Sequence, residues 1–231
     1  LILCWKSAIV IRILGSNPIA RPHSGDVRQR RLAMTLSSLP EHPCGIVELE
    51  QYVTSGDMAA AWLGQIAAFG DLDSDSVVAD LGAGNGVLGI GAALLGATSV
   101  VLIECDEAAC AAAFEAVEQV DVGEVVEVMC RRVDENLDVA GASLVISNPP
   151  WGVQSTRADR PFLEAMLRSG AICHLMHSAA ATHIQSFFEE SGWAVERYWE
   201  ADFALPAAYA HHSRRQGRTR VAFWRLTPPA E

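Results

Sequence analysis

The stretch Val77-Val78-Ala79-Asp80-Leu81-Gly82-Ala83-Gly84-Asn85-Gly86 decides the fold. Its apolar first half predicts a short buried strand, and glycine at every second position of the second half predicts a tight turn. A helix follows, with Leu88, Ala92 and Leu95 on one side, and it ends at Gly96. A strand, a glycine turn and a helix in this order begin a βαβ unit, so the sequence predicts a parallel α/β sheet.

A second loop of the same kind follows Leu144-Val145-Ile146 and reads Asn148-Pro149-Pro150-Trp151. The carboxyl ends of parallel strands meet at one edge of the sheet, and loops at that edge line the ligand crevice. We therefore expect the two loops to lie side by side. The glycine turn would hold a nucleotide-like cofactor, and the Asn-Pro-Pro-Trp loop would hold the group that reacts.

The rest of the chain repeats the alternation of strands and helices. Strands are predicted at 77–81, 100–103, 125–129, 144–147 and 171–175, and 195–203 and 219–226 predict a closing antiparallel pair. Before the first strand, a helix capped by Thr54 or Ser55 places four apolar residues at helical spacing, namely Met58, Trp62, Ile66 and Phe69. This alternation predicts a sheet covered by helices on both faces.

Charge is distributed unevenly along the chain. Residues 1–33 hold six basic residues against Asp26, a local charge of +5, so the remainder carries −16 of a net charge of −11. We expect residues 1–45 to be a basic, poorly ordered extension, 46–227 to be the domain and 228–231 to be a tail. The alternative is that the extension is a basic arm that contacts nucleic acid.

Composition excludes a membrane-spanning protein. No uncharged apolar run approaches the roughly 20 residues that a bilayer requires, and the apolar segment 1–14 carries Lys6 and Arg12 without a convincing cleavage site. We therefore expect a cytoplasmic protein with no membrane partner. The six cysteines form no C-x-x-C pair, which favours reduced thiols over disulfides or a zinc site.

The glycine turn differs from the dinucleotide fingerprint G-x-G-x-x-G, because Val87 stands where the last glycine belongs. This difference argues against a nicotinamide enzyme. Glu104 ends the next strand about 20 residues on, where a carboxylate accepts hydrogen bonds from both hydroxyls of a cofactor ribose. The alternative is a glycine turn that binds no ligand.

The Asn-Pro-Pro-Trp loop suits a planar amine. The amino group of adenine is a poor nucleophile, because its lone pair is delocalised into the ring. The Asn148 side-chain oxygen and the Pro149 carbonyl would each accept one of its N–H groups and aim the nitrogen at a methyl donor. Trp151 would stack on the base, which is worth ~1–3 kcal/mol. The alternative is a rigid turn that ends a strand.

Together these segments resemble class I, S-adenosylmethionine-dependent amino-methyltransferases. Two further pieces, Leu49-Glu50-Gln51-Tyr52-Val53-Thr54 and Leu205-Pro206-Ala207-Ala208-Tyr209, are similar to the methyltransferase-like-five family. That family methylates N6 of one adenine in small-subunit ribosomal RNA. The resemblance extends over residues 46–226.

The resemblance implies a Rossmann-like class I fold: a doubly wound, mostly parallel seven-stranded sheet with an antiparallel edge pair. It also implies S-adenosylmethionine as cofactor, RNA as substrate and a small zinc-binding activator protein as partner. The expected catalytic residues are Asn148, Pro149, Pro150 and Trp151. The expected cofactor-binding residues are Gln51, Tyr52, Thr54, Asp80, Gly82, Gly84, Gly86 and Glu104.

The chain departs from the family after its third strand. Where the family has an acidic contact to the cofactor's adenine, this chain has Cys130-Arg131-Arg132, and Asp134 is the candidate replacement. A basic run near the carboxyl terminus is retained, and we expect four of its residues, His211, Arg214, Arg215 and Arg218, to contact RNA phosphates. The alternative is a solvated loop. No metal ligand is predicted, and His177 and His183 are expected to be structural.

Two other functions fit the same motifs. Asn-Pro-Pro-aromatic loops serve planar amides and amines generally, so a protein glutamine or guanine N2 is an alternative target. A cofactor-binding ribosome assembly factor without turnover is an alternative outside enzymes.

Overall fold

A computed structural model describes residues 24–43, 50–51, 53–152, 155–204 and 218–230. Tyr52, His211, Arg214, Arg215, the segment 205–209 and residues 1–23 of the predicted extension lie outside this part. The helices are α1 (Ser24–Ser37), α2 (Gly56–Phe69), α3 (Val87–Leu95), α4 (Glu107–Gln119), α5 (Arg160–Ser169) and α6 (His183–Glu189). The strands are β1 (Val77–Leu81), β2 (Ser99–Glu104), β3 (Val126–Cys130), β4 (Leu144–Ser147), β5 (Ile172–Ser178), β6 (Ala194–Ala204) and β7 (Arg218–Thr227).

The strands form one sheet in the order β3-β2-β1-β4-β5-β7-β6. Strands β1 to β5 pair in parallel, and β7 runs antiparallel to both β5 and β6. The strand order reverses between β1 and β4, so the crevice of this topology opens beside the last residues of these two strands. Leu81 stands opposite Ser147 there. The predicted sheet with its antiparallel edge pair is confirmed.

Two apolar layers cover the sheet, one on each face. Neighbouring residues of β1 point to opposite sides, so Val78 packs with the layer of α1 to α4 and Ala79 with the layer of α5 and α6. Both residues are fully buried, which explains why Val78 and Ala79 are apolar in succession rather than alternating with polar residues. The site residues at the ends of β1 and β4 are thus supported from below by a packed core.

Within the expected extension over residues 1–45, the structure describes residues 24–43, and helix α1 lies there. Helix α1 packs on α2 and buries Leu32 and Leu36 in the core, and Leu39, just after the helix, is buried there too. Gly56 lies so close to Ser37 that a side chain at position 56 would clash. The arginines of α1 are exposed. Because they alternate with few apolar residues, the short apolar side of this helix is not evident from the sequence.

The expectation that the cysteines are reduced thiols is wrong for one pair. Cys110, in the first turns of α4, is disulfide-bonded to Cys130 at the end of β3, so these two cysteines are not reduced thiols.

Helix α2 begins after Ser55, one of the two expected caps, whose hydroxyl accepts a hydrogen bond from the Met58 N–H. Phe69, the last of its four apolar residues at helical spacing, is partly exposed. In the described part of the chain no helix has both the length and the apolar character to cross a membrane.

Candidate functional site

A cavity of about 320 Å³ opens at the carboxyl ends of β1, β2 and β4. Its size lies within the ~300–1,000 Å³ typical of small-molecule sites. The glycine turn and Glu104 line one side, Asn148 and Pro150 another, and the segment 155–158 with Phe162 closes a third. The two loops identified in the sequence therefore share one cavity.

The glycine turn needs glycine for two reasons. Gly82, Gly84 and Gly86 all have positive φ, at 71°, 58° and 82°, a region that other residues rarely adopt. A Cβ on Gly84 would lie 2.8 Å from His42 Cδ2, and one on Gly86 would lie 2.7 Å from Leu102 Cδ1. Gly82 and Gly84 line the cavity, whereas Gly86 packs on the core below it.

Glu104 is held firmly at the cavity wall. One carboxylate oxygen accepts from the Gly84 N–H at 2.9 Å, and the other accepts from the N–H groups of Cys105 and Asp106 at 2.7 and 2.9 Å. The side chain is buried except where it lines the cavity. A carboxylate has about four acceptor positions, so three hydrogen bonds leave capacity for a hydroxyl of a ligand.

Asp80, an expected cofactor contact, is not among the described residues that line the cavity. Its carboxylate is fully buried beneath the turn and accepts from the Gly89 N–H of α3 at 2.8 Å. Burial raises the pKa of Asp80 to about 7, and the charge of Glu104 adds to this effect. Asp80 therefore supports the glycine turn by anchoring the start of α3.

The segment before α2 reaches the cavity as expected. Gln51 and Thr54 line it, and the Gln51 amide donates to Asp106 Oδ2 at 2.6 Å. Asp106 in turn caps α4 by accepting from the Ala108 N–H. This chain of contacts fixes Gln51 beside Glu104.

The Asn148 side chain makes one hydrogen bond within the Asn-Pro-Pro-Trp loop and one to the segment before α2. Asn148 Oδ1 accepts from the Trp151 indole N–H at 3.2 Å, and the Asn148 amide donates to Thr54 Oγ1 at 3.2 Å. Asn148 and Pro150 line the cavity, but Pro149 and Trp151 are not among the described residues that line it. The half-buried Trp151 ring packs edge-on against Phe203, with ring centroids 5.5 Å apart.

Two residues at this site were not assigned by the sequence analysis. Glu50 is buried, and its carboxylate accepts from the Trp151 and Ser155 N–H groups at 2.8 and 3.4 Å. His42 lines the cavity beside Gly84, and burial lowers its pKa although Glu104 and Asp106 oppose that shift. Glu50 lies in a segment that was quoted for the family resemblance, but neither its contacts nor those of His42 could be predicted from neighbouring residues.

The side of the cavity after β3 is basic. Arg131, Arg132 and Val133 line it. Asp134, the expected acidic replacement, does not. Its carboxylate accepts from the Asn136 N–H and lies 3.6 Å from the Arg131 guanidinium. The structure therefore gives no support to an Asp134 contact with a ligand.

Of the four predicted RNA contacts, only Arg218 lies in the described part of the chain. It is exposed at the start of β7, opposite Ala204 of β6. Arg220, two residues on, pairs with Glu200 at 3.0 Å and with Asp202 at 3.7 Å. In the described part of the chain, Arg220 therefore pairs with two carboxylates and Arg218 pairs with none.

Comparisons with known proteins agree with this geometry. The family model for the methyltransferase small domain matches residues 65–178. The rRNA N(6)-adenosine-methyltransferase METTL5 of Danio rerio is 33% identical over 184 residues, covering 78% of this chain and 89% of that protein. Its Drosophila melanogaster counterpart is 30% identical over 193 residues, covering 77% of this chain and 86% of that protein.

A solved structure is similar over nearly the same span. PH1948, a proposed RNA methyltransferase from Pyrococcus horikoshii, superposes with a TM-score of 0.76 at 32% identity, covering 87% of this chain and 98% of that one. Lower-identity structures, including a precorrin-6y C5,15-methyltransferase from Geobacter metallireducens with a TM-score of 0.58 at 16% identity, share the fold.

Proposed function

The chain belongs to the methyltransferase-like-five family of class I methyltransferases, and from this premise we propose that it methylates N6 of an adenine in small-subunit ribosomal RNA. One observation carries the proposal: Asn148 and Pro150 line the same cavity as the glycine turn and Glu104. An amine held by the Asn-Pro-Pro-Trp loop would therefore face a cofactor held by the turn. The rRNA N6-adenosine activity of the relatives supports this substrate.

The proposed cofactor is S-adenosylmethionine, which supplies an electrophilic methyl group on a sulfonium when bound. The cavity fits it, because Gly82 and Gly84 line the cavity without side chains of their own, so a ligand can approach their backbone closely. Glu104 would accept from the ribose hydroxyls. Gln51 and Thr54, together with Tyr52, would contact the remainder of the cofactor.

Asn148 would hold the reacting amine. Its side-chain oxygen already accepts from Trp151, but a carbonyl oxygen has two lone pairs and can accept one amino N–H as well. The hydrogen bond from Asn148 to Thr54 fixes the orientation of the amide. With Pro149 O accepting the second N–H, the nitrogen lone pair points towards the cofactor side of the cavity, and Trp151 offers a ring face to the base.

The test of the function is transfer of labelled methyl to ribosomal RNA from the same species. We expect incorporation as N6-methyladenosine. Asn148→Ala should reduce turnover far more than it weakens RNA binding, and Trp151→Phe should retain more activity than Trp151→Ala. Methylation of a release-factor glutamine or of guanine N2 instead would replace the proposed target. Cofactor binding without turnover in the presence of the activator would indicate a non-catalytic assembly factor.

RNA docking is proposed for the basic run His211, Arg214, Arg215 and Arg218. Arg218→Gln should weaken RNA binding and reduce the log–log salt slope by about 0.7, the value for one single-strand phosphate contact. Arg220→Gln is the matched control, because its guanidinium is paired with Glu200 and Asp202. Equal salt slopes for the two variants would contradict docking by Arg218.

The proposed partner is a small zinc-binding activator protein. Co-expression with the activator of the same species should raise the soluble yield and the rate of methyl transfer, because a partner that covers apolar surface reduces aggregation. Failure of the two proteins to co-purify at micromolar concentrations would count against this partner.

A further inference from the structure

Three side chains from three elements meet behind the Asn-Pro-Pro-Trp loop. Asp159 immediately precedes α5, His177 lies near the end of β5, and His183 begins α6. Asp159 Oδ2 lies 2.6 Å from His183 Nε2 and 3.2 Å from His177 Nε2. One ligand atom from each residue lies within 4.8 Å of the other two.

The cluster is buried on one side and open on the other. Asp159 and His177 are 5% and 1% exposed, whereas the His183 side chain is half exposed. Within the described ranges, neither ring nitrogen of His177 makes an aligned hydrogen bond, although Nε2 is near Asp159. A buried imidazole without hydrogen bonds is costly, so the arrangement calls for a further partner.

The Asp159 carboxylate contacts the two histidines rather than the backbone of its own helix. It holds the N-cap position of α5, where an aspartate usually accepts from a backbone N–H of the first turn, but its carboxylate makes no such bond. The carboxylate instead faces two imidazoles, those of His177 and His183.

We propose that Asp159, His177 and His183 bind a divalent transition-metal ion, with zinc as the best match. Two imidazoles and one carboxylate suit zinc, and solvent beside His183 supplies the fourth ligand. In a tetrahedral site with bonds of about 2.0–2.2 Å, the ligand atoms stand about 3.3–3.6 Å apart. The separation of 3.2 Å between His177 Nε2 and Asp159 Oδ2 is close to this spacing. His183 must move away from Asp159 by about 0.7–1.0 Å, which its exposed side allows.

The ion would stabilise the proposed substrate loop without touching the substrate. It would join the start of α5, the end of β5 and the start of α6. The His177 ring lies against Trp151, with ring centroids 6.2 Å apart. A metal bond to His177 would thus fix the surface against which Trp151 rests.

The experiment measures zinc binding to the full chain after removal of metals with a chelator. Calorimetry should give one ion per chain, and Asp159→Asn and His183→Ala should each weaken binding by about ten-fold or more. Two residues of the same helices provide matched controls, the partly exposed Glu164 on α5 and the exposed Gln185 on α6. Glu164→Gln and Gln185→Ala should bind zinc as the wild type does. Cobalt substitution should give a tetrahedral spectrum without a thiolate charge-transfer band.

If Asp159→Asn is poorly folded, His183→Ala still tests the proposal, because the half-exposed His183 side chain contributes little to the core. Zinc should raise the melting temperature of the wild type and leave that of His183→Ala unchanged. A wild-type chain that takes up no zinc at micromolar concentrations overturns the proposal. So do a thiolate band in the cobalt spectrum and a wild-type zinc affinity in His183→Ala.

Discussion

At the scale of single residues, two constraints require glycine at position 84: its positive φ and the small space beside it. Its φ of +58° is unfavourable for a side chain, and the position of its missing Cβ is 2.8 Å from His42 Cδ2. His42 and Gly84 both line the cavity, so the turn and the segment after α1 touch where we propose the cofactor binds. A single methyl group would disturb both.

Gly84→Ala should therefore weaken S-adenosylmethionine binding by about ten-fold or more, measured by calorimetry. Backbone strain alone costs roughly 1 kcal/mol in global stability. Gly70→Ala is the matched control, because Gly70 also has positive φ (+80°) but has nothing within 4 Å of the added Cβ. It should lower stability and leave cofactor affinity unchanged. Equal losses of affinity in the two variants would contradict the proposed role of the turn.

Asp80 makes stability depend on pH. Burial raises the pKa of its carboxyl to about 7 in the folded state, so ionisation is disfavoured relative to the unfolded chain. The resulting stability is complete below about pH 4 and is lost as pH rises through about 7, by up to ~1.4 kcal/mol per pH unit between these values. Wild type should therefore lose stability relative to Asp80→Asn over this window.

Urea unfolding of both proteins from pH 4 to pH 8 measures that difference. Glu124→Gln, at an exposed carboxylate, should follow the wild-type curve at all pH values. A difference between wild type and Asp80→Asn that stays constant with pH would show that Asp80 is ionised throughout the range.

At the scale of elements, the Asn-Pro-Pro-Trp loop takes its shape from a distant segment. Glu50 adopts a positive φ of 47°, and its buried carboxylate accepts from the backbone of Trp151 and Ser155. Thr54 receives the Asn148 amide from the same side. The segment before α2 thus holds both the loop and, through Gln51, the wall of the proposed cofactor site.

Glu50→Ala should lower kcat for methyl transfer by about 10²-fold, because a misplaced loop loses the geometry of the reaction. Cofactor affinity should change little. Glu50→Gln should recover part of the rate, since its amide oxygen still accepts one backbone N–H. Glu41→Ala removes an exposed carboxylate near the cavity and should behave as wild type. A Glu50→Ala enzyme with normal kcat would show that the loop keeps its shape unaided.

At the scale of the whole molecule, a buried polar network joins α2 to the antiparallel edge of the sheet. Asp71, just after α2, accepts from the Arg225 guanidinium at 2.6 and 2.8 Å and contacts His174 at 2.8 Å. The Tyr198 hydroxyl contacts the other nitrogen of His174 at 3.0 Å and accepts from the Trp62 indole N–H. Strands β5, β6 and β7 are therefore tied to one helix.

Asp71→Asn should destabilise the protein by about 2 kcal/mol, because it removes a buried carboxylate that is the counter-charge of the partly buried Arg225. Burial alone would raise the pKa of Asp71, but hydrogen bonds from Arg225 and His174 outweigh it and hold the pKa well below its usual range. The contribution is thus present above about pH 4 and is lost as pH falls further. Asp202→Asn, at the exposed pair with Arg220, should cost less than about 1 kcal/mol in denaturant unfolding.

The features that the sequence determined are local in the chain. The strand, turn and helix of residues 77–95 follow from an apolar run and alternate glycines, and the mostly parallel sheet with its antiparallel edge pair follows from repeated strand–helix units closed by two successive strands. Glu104 was located because one strand places it at a known distance from the turn. Each inference needed only neighbouring residues, whose backbone preferences and side-chain periodicity act over a few positions.

Tertiary packing alone decided the remaining features. Glu50 and Trp151 are separated by 101 positions, and Asn148 and Thr54 by 94, yet each pair shares a hydrogen bond. The burial of α1, the position of Asp80 beneath the turn and the meeting of His177 with Asp159 likewise depend on how the layers stack. No local pattern encodes these contacts, because burial and hydrogen bonding between distant residues arise only when the whole core packs at native density.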